Sequence, residues 1–216
     1  MNSIDTHPFL PRLRKEAEEA SVEIRLESAN KISYPGGSML VNGFFTHVPK
    51  PVYGMAVGKP KEEYEEILYH EYCHMRQWIE RSPCYIESFV TDTIDICDLM
   101  DLWTEGHIEL NEEQKADYTR RSIAVELDCE QRTEKLLVEV GATMNVAEYV
   151  QRANSYVLFY HMIAKYRQWY KTGNEPYFNE GVWRQMPENF DTLDYDRFPK
   201  EFEDLYIEHC LVDIKR

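Results

Sequence analysis

The pattern of apolar and polar positions divides this chain into a strand-bearing beginning and a long helical remainder. Pro8 to Ala20 has helical character, with charged residues on most of its faces. Val22-Glu23-Ile24-Arg25-Leu26 alternates as a half-buried strand does. Pro35-Gly36-Gly37-Ser38 is a turn signal before strand-like Met39 to Thr46, and Tyr53 to Val57 is a further short strand closed by Gly58-Lys59-Pro60. Pro60 then opens a long helix that ends before Pro83, with Glu62 and Glu63 in the first turn, where the helix dipole favours acids. Helices follow near 84–104, 111–140 and 145–171, then an aromatic-rich segment and a last helix near 199–210. Gly141 and Asn145 are the stop and start marks between two of them.

The expected class is α+β: a small mixed sheet with helices in 1–60, one long helix over 60–82, and a helical part over 83–216. At 216 residues the chain has room for one well-buried core, and we read it as a single domain. Four Trp, 15 Tyr and nine Phe argue for a packed interior rather than disorder. No apolar run reaches membrane-span length, and Met1-Asn2-Ser3-Ile4-Asp5 lacks a basic-then-apolar leader, so a cytoplasmic protein is expected. The five cysteines are odd in number and form no Cys-x-x-Cys pair, which argues against a disulfide framework or a cysteine zinc site. A net charge of −15 disfavours nucleic acid and anionic membrane as partners and favours basic peptides, or simply a solvated acidic surface.

His70-Glu71-Tyr72-Cys73-His74 changes this picture. On a helix, His-Glu-x-x-His sets two imidazoles one turn apart where they can share a Zn²⁺, and leaves the Glu to activate a water. Residue frequencies give roughly 0.03 chance copies in a chain of this composition. At about 100° per residue, His74 lies some 40° from His70 and borders an arc with Ile67, Leu68, Met75 and Trp78. Glu62, Glu66, Cys73, Arg76 and Glu80 fall on the opposite side, which is expected to be solvated.

A catalytic zinc needs a third protein ligand and an open position. Gln77 and Glu80 stand where metzincins carry Gly and a third His, which excludes that subclass. The better source is Val125-Glu126-Leu127-Asp128-Cys129-Glu130, where Glu126, Glu130 and Glu134 share an apolar arc with Ile123, Leu127 and Leu137. Glu126 as ligand and Glu130 as acceptor for a ligand imidazole is the economical assignment; Asp128 points away, and His107 is the runner-up ligand. An amphipathic helix with an acidic edge accounts for the same spacing. With His-Glu-x-x-His on one helix and a Glu on a later one, the chain resembles the gluzincin type of zincin metallopeptidase. Locally it is similar to the prenyl-protein-peptidase-like group, with Glu130 where that group has Asp. The resemblance implies one catalytic Zn²⁺ on His70, His74 and Glu126, Glu71 as general base, and a protein or peptide substrate. It also implies the zincin fold, with Tyr53–Val57 as a sheet edge beside the cleft to which an extended peptide adds. Tyr156, Tyr160 and His161 are the candidates for stabilising an oxyanion.

Two other readings compete. A di-iron bundle requires a second Glu-x-x-His, and none of His7, His47, His107, His161 or His209 has a Glu three residues before it. A non-catalytic acidic interaction module would use the net charge itself. Asp92, Asp95, Asp98 and Asp101 recur every third residue, though that spacing winds around a helix and fits a solvated face better.

Overall fold

A computed structural model describes residues 3–35 and 39–211 and, for Glu62, the backbone alone. The turn expected at Pro35–Ser38 falls largely on 36–38, outside the described residues, as does the expected solvated side chain of Glu62. The protein is α+β, and its chain divides into two compact units between Ser82 and Pro83. Among the described residues no helix is long and apolar enough to cross a membrane.

The first unit opens with a 3-10 turn at Ser3–Thr6 and helix α1 (Leu10–Glu19), which buries Leu10, Leu13 and Ala17. Five strands follow: β1 (Glu23–Glu27), β2 (Ile32–Ser33), β3 (Leu40–Val41), β4 (Gly43–Thr46) and β5 (Val52–Ala56). Helix α2 (Lys61–Ile79) closes the unit. The run expected as one strand over Met39–Thr46 is two strands: β3 pairs with β2, whereas β4 pairs with β5.

The main sheet has the order β1-β5-β4, with β1 parallel and β4 antiparallel to β5. This corrects one expectation. The Tyr53–Val57 stretch is the centre of the sheet, not its edge, and every residue of β5 is buried. Its backbone groups are taken by Glu23–Glu27 on one side and Gly43–Thr46 on the other, so no peptide can add to it. Of the two outer strands, β4 packs on α2. A small core of Ile32, Phe44, Val52 and Ala56 completes the sheet packing.

The second unit runs α3 (Pro83–Glu87), a hairpin of β6 (Phe89–Thr91) and β7 (Ile94–Asp95), then α4 (Ile96–Thr104), α5 (Glu112–Val140), α6 (Val146–Tyr166), α7 (Glu180–Trp183) and α8 (Lys200–His209). The helix expected over 84–104 is therefore interrupted. The Thr91 hydroxyl accepts the Thr93 amide to make the turn, and Asp95 restarts the helix as N-cap, accepting the Asp98 amide at 2.7 Å. Asp95 and Asp101 are thereby removed from any free acidic stripe, because the Asp101 carboxylate accepts the Trp169 indole N–H at 2.6 Å. Asn111 and Gln114 form a capping box on α5, and Gly141 ends it in the left-handed conformation (φ 63°). Asn145 caps α6 as expected, but α6 stops at Tyr166 instead of 171, with Arg167 left-handed (φ 55°). The Arg167 guanidinium is held by the carbonyls of Trp103 and Ile108 and by Glu109, which fixes that stop.

Candidate metal centre

Helix α2 is built from good helix formers between Pro60, which occupies the N-cap, and Arg81, whose left-handed backbone (φ 53°) ends it. One flank lies on β4 and β5, where Leu68 and Met75 are wholly buried. Of the residues expected to be solvated, Glu80 is exposed and Glu66 and Arg76 are half-buried, but Cys73 is buried. The Phe9 ring meets Tyr69 and Tyr72 edge-on, and His7 donates from Nε2 to Glu65 at 2.7 Å. Glu16 joins Arg76 (2.8 Å) and the Tyr72 hydroxyl (2.7 Å), so Arg76 and Tyr72 hold α1 to α2.

That arrangement leaves His70, Glu71 and His74 on the half-buried remainder of the helix. The two imidazoles stand edge to face, with centroids 4.7 Å apart, an 87° interplanar angle and their Nε2 atoms 3.1 Å from each other. At the usual Zn–N length of about 2.0–2.1 Å, two nitrogens of a tetrahedral ion lie roughly 3.3 Å apart, so this pair is spaced to share one cation. His74 Nδ1 lies 2.8 Å from the side-chain oxygen of Gln77, which is fully buried. A carbonyl oxygen only accepts, so this contact is a hydrogen bond when His74 carries its proton on Nδ1, the tautomer whose Nε2 presents a lone pair.

Glu71 is set by the sheet. A Cβ on Gly43 would stand 3.0 Å from Glu71 Cγ and 2.4 Å from Ile67 Cγ2, so only glycine allows β4 to come this close to α2 beside Glu71. Beneath the helix, the Tyr53 hydroxyl donates to the Leu68 carbonyl at 3.0 Å. Burial, and then the nearby Glu71 charge, push the Tyr53 pKa well above the ordinary phenol value, so it stays protonated. Farther along, Trp78 packs with Phe45 at 5.6 Å and stacks on His47 at 6.2 Å. Burial lowers the His47 pKa and favours its neutral form.

In the second unit, α5 turns three donor side chains inward: Glu126, Cys129 and Glu130 are 8%, 0% and 5% exposed. Glu130 accepts the Tyr149 hydroxyl, while Asp128 pairs with Arg132 at 2.7 Å on the outer side, as the wheel placed it. The Tyr156 and Tyr160 hydroxyls are 3.1 Å apart. Burial first, and then charge including that of Glu126, keeps both phenols protonated far above the usual range. The Glu126 charge thus acts on both phenols, of which Tyr160 is buried and Tyr156 half-buried. His161 does not join them: its Nε2–H donates to the Tyr195 carbonyl at 2.9 Å and its ring stacks on Phe198. His107 is exposed beside Glu105, 3.3 Å away.

Sequence reading missed Gln77 and Gly43 as contributors. A fully polar residue on an apolar arc was the available signal for Gln77. Gly43 carried none, because its neighbours come from a different element. When the chain is compared with known proteins, no family model, no curated protein and no solved structure matches it.

Proposed function

We propose that this protein is a zinc-dependent metallopeptidase of gluzincin type, in which His70, His74 and Glu126 hold one Zn²⁺ and Glu71 is the general base. The observation that carries the reading is the pair of Nε2 atoms 3.1 Å apart on one helix, with Glu71 beside them against β4. Glu126 enters from the sequence pattern and from its burial on α5, where its charge acts on Tyr156 and Tyr160. Bound zinc supplies Lewis acidity, which makes water ionise near neutral pH and draws electron density from a carbonyl. Glu71 takes the proton of the attacking water and returns it to the leaving amine. His70 and His74 hold the cation through Nε2, and the protonated Tyr156 and Tyr160 hydroxyls are the donors for the developing oxyanion. An extended substrate would lie along β4, the outer strand beside α2, in place of the central β5.

Metal content and turnover on an unfolded-protein or peptide-library substrate test this together. The expected result is one zinc per chain, lost in His70→Ala. Glu71→Gln should keep the metal and lose turnover by about 10²–10⁴-fold. Full activity in Glu71→Gln overturns the proposal. The third ligand is decided by Glu126→Ala, Cys129→Ala and Glu130→Ala, of which only the first is expected to release the metal.

A further inference from the structure

We infer that Gln77 is a positioning residue that presets His74 for the metal by holding its proton on Nδ1. The inference deepens the metallopeptidase reading and rests on it. An unliganded imidazole exchanges its proton between two nitrogens, and only the tautomer with a bare Nε2 can ligate through that atom. The Gln77 oxygen lies 2.8 Å from His74 Nδ1 and, as an acceptor, selects that tautomer.

Burial and position make the selection firm. Gln77 is fully buried, so water does not compete for its oxygen, and it lies three residues on, along the same inward flank of α2. The partner is also an amide and not a carboxylate. A carboxylate in this place would draw the imidazole proton more strongly and make Nε2 more basic; the amide orients the ring with less added electron density. In the metal-free protein the contact also organises the histidine pair. With His74 Nε2 bare, the 3.1 Å Nε2–Nε2 approach is a hydrogen bond when His70 carries its proton on Nε2, and for His70 to ligate through that atom the proton moves to its own Nδ1.

Two measurements test this. Long-range ¹H–¹⁵N spectra of the metal-free protein are expected to show His74 protonated on Nδ1, and Gln77→Leu is expected to mix the tautomers. Competition with a chromogenic chelator is expected to show zinc binding weakened about 10–100-fold in Gln77→Leu, with Gln77→Glu restoring it because that side chain keeps the acceptor. Zinc affinity unchanged in a folded Gln77→Leu protein overturns the role of Gln77 alone, and so does a Gln77→Glu variant as weak as Gln77→Leu. The tautomer measurement needs no variant, and a His74 protonated on Nε2 overturns the inference even if every substitution misfolds. Failure of the unsubstituted protein to bind zinc instead overturns the metallopeptidase reading, and this inference with it.

Discussion

Replacing Gly43 by alanine tests whether the close approach of β4 to α2 is what positions Glu71. The added methyl would sit 2.4 Å from Ile67 Cγ2 and 3.0 Å from Glu71 Cγ, where carbon atoms ordinarily keep about 3.5–4.0 Å. Either the strand retreats by about 1 Å or Ile67 leaves its rotamer. Overpacking of this kind costs about 1–3 kcal/mol. The entropy gained by replacing a strand glycine offsets about 0.5–1 kcal/mol of that. A net loss of about 1–2 kcal/mol follows, and a chain of this size loses roughly 2–4 °C in Tm per kcal/mol. Thermal denaturation of Gly43→Ala should therefore show a fall of about 2–8 °C. A double-mutant cycle locates the cause, since Ile67→Ala removes the opposing Cγ2 and should reduce the penalty by about 1 kcal/mol. Gly54→Ala is the contrast: its methyl meets the Phe44 ring at 2.3 Å, away from Glu71. Both variants should lose stability, but only Gly43→Ala should also lose turnover while keeping its zinc. An equal penalty with and without Ile67, or an unchanged Tm, would refute the steric reasoning.

Two further expectations concern pH. Burial acts to raise the Glu16 pKa, but the Tyr72 hydroxyl and the Arg76 and Arg12 guanidiniums outweigh it and hold that carboxyl below its ordinary value. The stability it contributes is present above the ordinary carboxylate range and is lost as pH falls through the depressed value. Denaturant titrations should accordingly show a shallower loss between pH 6 and 3 in Glu16→Gln than in the unsubstituted protein; parallel curves would count against the network. Asp101 behaves oppositely, since burial raises its pKa to about 6 despite the Trp169 hydrogen bond. Its contribution is fully present below the ordinary carboxylate value and is lost as pH rises through about 6. Asp101→Asn should therefore raise the Tm at pH 8 and do nothing at pH 4, and a gain of equal size at both would refute this assignment.

What could be read from the sequence was local. The His-Glu-x-x-His spacing needs nothing beyond one helical turn, and the Nε2 atoms of His70 and His74 accordingly meet at 3.1 Å. The Asn145 cap and the Gly141 stop stand where they were expected, because each acts on backbone groups a few residues away. The inward turn of Glu126 and Glu130, and the outward turn of Asp128, follow from the period of α5 alone.

The tertiary structure decided whatever depends on neighbours distant in sequence. Alternation marked Tyr53–Val57 as a strand but could not rank it among its partners, and pairing with β1 and β4 made it the centre. Cys73 reads as solvated but is buried on the flank of α2 where Arg76 and Tyr72 bond Glu16 of α1, while Glu80 stays exposed as its position predicts. His161 sits one residue from Tyr160 yet faces Tyr195, because adjacent residues on a helix diverge by about 100°. Gln77 and Gly43 gained their roles only when a rotamer and a strand-to-helix distance were set, and periodicity carries neither quantity.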